Sequence, residues 1–170
     1  MKRLLVAIAG AVALAAPAAA EGPVQVSLGY SFVKYLDTGG GSAPVGAFFA
    51  LSGRKSLTLE LDLGWQHYSE PTMSTASSAG GSLGRNTLTV LAGPKINFAT
   101  RGSAKPFVHV LGGLHYDTSE SNTSPGGVAG GGVDIKAGKN VAVRLFGDFQ
   151  LFSHRYENLE ALRLGVGLSF

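Results

Sequence analysis

One ten-residue segment, residues 57–66, constrains the fold of this chain more than any other feature of the sequence. Its odd positions are large and apolar: Leu57, Leu59, Leu61, Leu63 and Trp65. Its even positions are polar or glycine: Thr58, Glu60, Asp62, Gly64 and Gln66. An alternation of period two places each set on one face of an extended strand, whereas a helix of period 3.6 would scatter both sets around its axis. The segment is therefore predicted to be a β-strand with one apolar face and one polar face.

Seven further segments complete a set of eight predicted strands. Four of them repeat the alternation, namely residues 24–33, 86–98, 140–151 and 161–170. Three are less regular but lie between turn signals at strand spacing, namely residues 43–51, 106–116 and 127–136. Since no segment shows a helical pattern, the sequence predicts an all-β fold.

The connections between these strands alternate in length. Short connections are predicted at residues 52–55, 100–104 and 137–139. Longer ones, rich in Ser, Thr, Gly and Asn, are predicted at residues 37–42, 70–84, 117–125 and 153–158. Short turns at one end and long loops at the other, with an even strand number, are typical of bacterial outer-membrane barrels. The predicted fold is an eight-stranded antiparallel up-and-down transmembrane β-barrel, with both termini on the short-turn, periplasmic side.

The first twenty residues have the features of a secretory signal peptide. Lys2 and Arg3 form a positive n-region, an apolar run follows from Leu4, and Ala18 to Ala20 satisfy the small-residue cleavage rule. We expect cleavage after Ala20, which divides the chain into a signal peptide, residues 1–20, and a barrel, residues 21–170. Loss of Lys2 and Arg3, each carrying one positive charge, lowers the formal net charge from +3 to +1.

Composition excludes several classes of function. The absence of cysteine excludes a disulfide scaffold, a thiolate metal site and a cysteine nucleophile. No basic run is present that could follow a phosphate backbone, so no nucleic-acid partner is expected. After residue 20 no long apolar run remains, which leaves an exported soluble protein or a β-barrel as the two possibilities.

The alternation alone does not decide which face of the strands points outward. Charged residues make up only 15% of the chain, and they recur at mid-strand on the polar face, which also carries many glycines. Both features suit a crowded interior better than a solvated surface, and a membrane barrel has its polar face inside. A secreted soluble β-barrel binder, similar to a lipocalin, stays as the alternative.

Six of these charged residues are predicted to form a network inside the lumen: Glu60, Asp62, Lys95, Arg144, Asp148 and Arg163. Pairing strands across their connections places Glu60 near Gly93 and diagonal to Lys95, and places Asp148 opposite Arg163. Eight strands enclose an interior that side chains can fill. We therefore interpret the network as an ion cluster that fills the lumen, with a selectivity or gating network in a narrow channel as the alternative.

Several short segments resemble the small outer-membrane β-barrel superfamily, which includes the barrel of outer-membrane protein A, the opacity-type proteins and proteins of the "porin family". The similar segments are residues 93–95, 106–110 and 130–134, and the alternating C-terminal run Leu164, Val166, Leu168 and Phe170. The resemblance implies an outer-membrane location in a Gram-negative bacterium and contact with outer-membrane lipid. It also implies that periplasmic chaperones and the barrel-assembly machinery act on the chain, the latter recognising that C-terminal run as an assembly signal. A monomer is expected.

Catalytic, cofactor and metal sites are not expected. His67-Tyr68-Ser69 resembles the His-x-Ser of lipid A deacylases, but no acid follows about a dozen residues later to complete a triad. His109 and His115 share a face six residues apart, about 20 Å at ~3.3 Å per residue, which is too far for one metal ion. The expected role is structural or in surface interaction. A narrow porin-like channel, a lipid A-modifying enzyme and a soluble binder are the alternatives.

Overall fold

The computed structural model describes residues 24–36, 45–71, 82–118, 121–153 and 158–170. The predicted signal peptide, residues 1–20, lies outside the described residues, as do His154 and much of the predicted long loops. Within the described part of the chain, no helix is long and apolar enough to cross a membrane.

Eight antiparallel strands close into a barrel in chain order. They are β1 Val24–Tyr35, β2 Val45–Gly53, β3 Leu57–Pro71, β4 Ser82–Asn97, β5 Ala104–Asp117, β6 Asn122–Lys136, β7 Ala142–Ser153 and β8 Asn158–Ser169. Each strand pairs with its neighbours in sequence, and β8 pairs with β1. This arrangement confirms the predicted eight-stranded transmembrane barrel. The fold has a short-turn end, which carries the β2–β3, β4–β5 and β6–β7 turns, and a long-connection end opposite it.

The last residue of the chain completes the closure at the short-turn end. The amide of Phe170 donates to the carbonyl oxygen of Val26 at 2.8 Å, and the amide of Val26 donates to the carbonyl oxygen of Phe170 at 3.2 Å. Because hydrocarbon offers no hydrogen-bond partner, a sheet in a membrane must pair both of its edges, and the β1–β8 seam does this.

Three strands extend well beyond their predicted bounds. β6 begins at Asn122, not at residue 127, because residues 122–126 pair with residues 113–117 of β5. β3 and β4 likewise extend into the predicted loop 70–84, ending at Pro71 and beginning at Ser82. A composition of Ser, Thr, Gly and Pro indicated loops at these positions. The backbone instead continues the ladder, which satisfies its N–H and C=O groups.

The barrel places apolar side chains outside and charged side chains inside. Leu59 is 75% exposed and Leu164 is 62% exposed, whereas Lys95 and Arg163 are at most 1% exposed. A soluble protein shows the reverse distribution, and an apolar belt of this extent requires a nonaqueous environment. The lipocalin-like alternative would need the opposite orientation of every strand.

The interior is less polar than the sequence suggested, because two apolar clusters occupy it. One consists of Phe48, Ala50, Phe107 and Phe146. The other consists of Leu91, Leu111, Val128 and Phe152. Gly165 makes room for the first cluster, because a Cβ atom at that position would collide with the ring of Phe146. The inward face of the strands therefore supplies both the charges of the lumen and apolar packing between them.

A test of the orientation uses one substitution at two depths on the outer face of β3. Leu61→Arg, near the middle of the strand, should destabilise the barrel by about 2–4 kcal/mol, whereas Leu57→Arg, beside the turn, should cost about 0–1 kcal/mol. Urea unfolding in phospholipid vesicles measures both costs. Equal costs for the two variants would contradict a lipid-facing position for this face.

Candidate functional site

Eight charged or titratable side chains meet at one level of the barrel and form what we call the lumen charge layer. Its members are Glu60 and Asp62 from β3, Lys95 from β4, His109 from β5, Asp134 from β6, Arg144 and Asp148 from β7, and Arg163 from β8. Each occupies an inward position in the alternation of its strand, and none is more than 6% exposed. The layer is therefore built across six neighbouring strands and buried in the interior of the barrel.

His109 lies at the centre of the layer between two carboxylates. Its Nδ1 atom is 2.6 Å from Oε1 of Glu60, and its Nε2 atom is 2.8 Å from Oδ1 of Asp148. An ionised carboxylate only accepts hydrogen bonds, so both ring nitrogens must donate and the ring must be an imidazolium. His109 thereby joins two acidic groups carried by strands on different sides of the lumen.

On one side of His109, the guanidinium of Arg163 links Asp148 to Asp62. Arg163 donates from Nε to Oδ2 of Asp148 at 2.9 Å and from Nη1 to Oδ1 of Asp62 at 2.9 Å. The strand register places Arg163 directly opposite Asp148, as the sequence predicts. Asp148 consequently accepts from His109 and from Arg163 on different oxygens.

On the other side of His109, Glu60 is held by two cations. Its Oε2 atom lies 2.9 Å from Nζ of Lys95 and 3.3 Å from Nη1 of Arg144. Arg144 also forms a bidentate pair with Asp134, from Nε to Oδ1 at 2.9 Å and from Nη2 to Oδ2 at 3.0 Å. Planar bidentate pairs of this kind are among the stronger charge-assisted interactions in proteins. The ion pairs thus form one continuous chain from Asp62 to Asp134.

The charges of the layer balance only when His109 is counted. Four carboxylates face three basic side chains, Lys95, Arg144 and Arg163, and the imidazolium is the fourth cation. Because an uncompensated buried charge costs several kcal/mol, a balanced set is the arrangement that burial requires.

Aromatic rings pack against the cations of the layer. The ring of Phe107 lies 4.4 Å from Nζ of Lys95 and 4.7 Å from the guanidinium carbon of Arg144. The ring of Phe146 lies 5.0 Å from the guanidinium carbon of Arg163. Cation–π contacts of this type stabilise charges that have lost their hydration.

The structure brings all six residues of the predicted lumen network into this layer. It adds two that the prediction omitted, His109 and Asp134. Both could have been found from the register, since His109 lies opposite Lys95 and Asp134 lies opposite Arg144. The alternation of β5 gave little help, because its inward face mixes apolar Phe107 and Leu111 with polar His109 and His115.

The residues of the predicted assembly signal lie elsewhere, on the outer face of β8. Leu164, Val166 and Leu168 are 62%, 42% and 43% exposed, respectively. Phe170 lies at the β1–β8 seam, where its backbone pairs with Val26.

The residues singled out for the alternative functions lie at separate places in the described part of the structure. His67 lies near the long-connection end, where Nδ1 is 3.0 Å from Oδ1 of Asn86, and its ring stacks on Trp65. The side chains of Ser69 and Glu70, which a deacylase would require, lie outside the described part of the structure. Among the described residues, no group of three or more His, Asp and Glu side chains is placed to hold a metal ion.

Several solved barrels have a similar structure. Neisserial surface protein A (NspA) superposes with a TM-score of 0.66 at 15% identity, over 87% of this chain and 96% of that chain. OprG from Pseudomonas aeruginosa gives a TM-score of 0.63 at 8% identity, over 86% and 93%. Ail from Yersinia pestis, in a phospholipid nanodisc, gives a TM-score of 0.53 at 16% identity, over 88% and 100%.

The chain has the fold of the small outer-membrane β-barrels. The similarity confirms the predicted resemblance at the level of the fold. No protein-family model matches the sequence, and no curated protein matches it.

A double-mutant cycle tests whether the layer acts as one unit. Asp148→Ala and Arg163→Ala should each destabilise the barrel by about 3–5 kcal/mol, since each leaves a buried partner unpaired. The double variant should lose clearly less than the sum of the two single losses, as expected for residues in one network. Unfolding in detergent micelles or vesicles gives the free energies. As a control, Asp148→Ala combined with Arg101→Ala, on an exposed turn, should be additive. Additivity in the first cycle as well would refute the pairing.

Proposed function

We propose that the protein is a monomeric integral outer-membrane β-barrel with a closed lumen and a structural or surface-interaction role. The proposed role is neither catalytic nor pore-forming. The observation that carries the proposal is the lumen charge layer, a continuous chain of ion pairs across the interior of the barrel. Such a layer holds the strands together from within. Because its charged groups are paired with one another, none is left to bind a solute.

The outer-membrane location is supported by three independent features. The exterior is an apolar belt, the fold is shared with NspA, Ail and OprG, and the sequence begins with a predicted signal peptide that would direct export. Lipid is then the principal partner of the outer face. Periplasmic chaperones and the barrel-assembly machinery are the proposed partners during biogenesis, because an exported barrel must remain unfolded until it reaches the membrane.

The closed lumen is supported by the packing on the inward face. Arg144, Arg163 and Lys95 are among the largest fully buried side chains of the protein. The apolar clusters around Phe146 and Phe152 add further bulk inside the barrel. An eight-stranded barrel has an interior just wide enough for side chains to fill, so these groups occupy the space that a channel would need.

The surface-interaction role is supported by the long-connection end. The sequence makes these connections long and rich in Ser, Thr, Gly and Asn, and loops on rigid barrels commonly carry recognition. Two structural neighbours are named for such roles, a surface protein in NspA and an attachment invasion locus protein in Ail.

Bilayer recording tests the closed lumen. Folded unmutated protein in a planar bilayer should give no stable conductance steps, because the ion pairs and aromatic rings fill the interior. Folding is verified in the same preparation by heat-modifiable gel mobility, and a general porin in the same bilayer is the positive control. Large and stable steps from verified barrels would reject the proposal in favour of the narrow-channel alternative.

Deletion of Phe170 tests the proposed assembly signal. The truncated protein should accumulate in the periplasm in a protease-sensitive form, as measured by fractionation and protease accessibility. Phe170→Ala is the matched control for the backbone, since it keeps the two hydrogen bonds to Val26 and removes only the aromatic ring. If the ring is the recognised element, both variants should fail to insert. Insertion of both at wild-type levels would disprove the assembly-signal role.

A further inference from the structure

The basic residues outside the lumen are concentrated at the short-turn end. Six exposed basic side chains lie on its turns and strand ends: Arg54, Lys55, Arg101, Lys105, Lys136 and Lys139. Asp134 lies at the same end, and its carboxylate already accepts hydrogen bonds from Arg144, Gln25 and Ser169. Asp134 is therefore committed to the lumen charge layer, and basic side chains outnumber acidic ones at this end.

The sequence predicts the opposite charge sign for the long-connection end. The sequence places six acids in or beside the long connections: Asp37, Glu70, Asp117, Glu120, Glu157 and Glu160. It places only three bases there: Lys34, Arg85 and Arg155. The near-neutral net charge of the mature chain consequently conceals a strong charge separation along the barrel axis.

Part of the basic group surrounds a concave site. A cup of about 320 Å³ opens at the mouth of the lumen. It is lined by four basic residues, Arg54, Lys105, Lys136 and Lys139, by one acid, Asp134, and by neutral polar side chains such as Asn97 and Asn140. Among the described residues, neither Lys105, Lys136 nor Lys139 forms an ion pair.

The strand alternation directs two of these lysines toward the barrel axis. Lys105 has the same parity on β5 as the inward residues Phe107 and His109, and Lys136 has the same parity on β6 as Asp134. Lysines that served to bind lipid headgroups would occupy outward positions at the rim. The placement therefore favours a ligand that approaches the mouth from the aqueous side.

We infer that the cup binds a soluble oxyanion that carries two or more phosphate or carboxylate groups. A concave surface of one charge sign concentrates ions of the opposite sign, and lysine ammonium groups are effective phosphate ligands. Asp134 also lines the cup, and its carboxylate offsets only part of the basic charge. That the ligand would be periplasmic rests on the proposed orientation. Binding itself does not depend on the orientation, so the two ideas can fail separately.

Calorimetric titration with inorganic pyrophosphate tests the site on the full barrel in zwitterionic micelles. The unmutated protein should bind saturably at a single site, with an affinity that falls as salt is raised. Lys105→Gln combined with Lys136→Gln should weaken binding about tenfold or more. Lys55→Gln combined with Arg101→Gln is the matched control, since it removes the same charge from the same end but outside the cup, and it should change the affinity less than about threefold. Heat-modifiable mobility confirms that each variant is folded.

Three outcomes would overturn the inference. They are no saturable binding by the unmutated protein, equal weakening by the two double variants, and loss of pyrophosphate binding in nanodiscs that contain anionic phospholipid but not in zwitterionic ones. The second would indicate general attraction to a basic end. The third would indicate that the lysines bind lipid headgroups.

Discussion

The ion-pair chain through His109 is the interaction on which the rest of the interior depends. Each carboxylate of the lumen charge layer would be unfavourable alone, because burial removes its hydration. The layer offsets this cost by bringing every acid within hydrogen-bond distance of a cation, and several acids have more than one. Such a set restricts the barrel geometry strongly, since a shift of β7 against β8 by two residues would separate Asp148 from Arg163. The charges are therefore expected to favour one register, which is the best-attested use of buried polar groups.

The exterior imposes a complementary constraint. In hydrocarbon every backbone N–H and C=O must pair within the protein, so the sheet must close, and the seam between β1 and β8 is continued by Phe170. Closure with eight strands in turn limits the width of the lumen, in which large side chains such as Arg163 and Phe146 are buried. The apolar belt, the closed sheet and the buried interior side chains are therefore three consequences of one environment, a lipid bilayer around a narrow barrel.

Charge is arranged differently in each region of the molecule. It is balanced in the lumen, nearly absent from the lipid-facing surface, and of opposite sign at the two ends. Because the charges of the interior pair with one another, the lumen needs no added counter-ion. The excess charge at each end is available to bind partners. The proposed surface role belongs to the long-connection end, and the proposed oxyanion site belongs to the cup between Lys105, Lys136 and Lys139. The barrel wall and the lumen charge layer provide the rigid support that both ends share.

The sequence by itself determined the strands, their faces and their antiparallel order, because alternation is a local property that each strand expresses alone. It also identified six members of the lumen charge layer, since charged residues at mid-strand stand out against apolar neighbours. Only the tertiary structure decided the role of His109, because the inward face of its strand mixes apolar and polar residues and its partners lie 49 and 39 residues away. The same holds for the packing of Phe48 against Phe146 and for the start of β6 at Asn122. Contacts across a lumen depend on the register and stagger of all eight strands together, and no single segment contains that information.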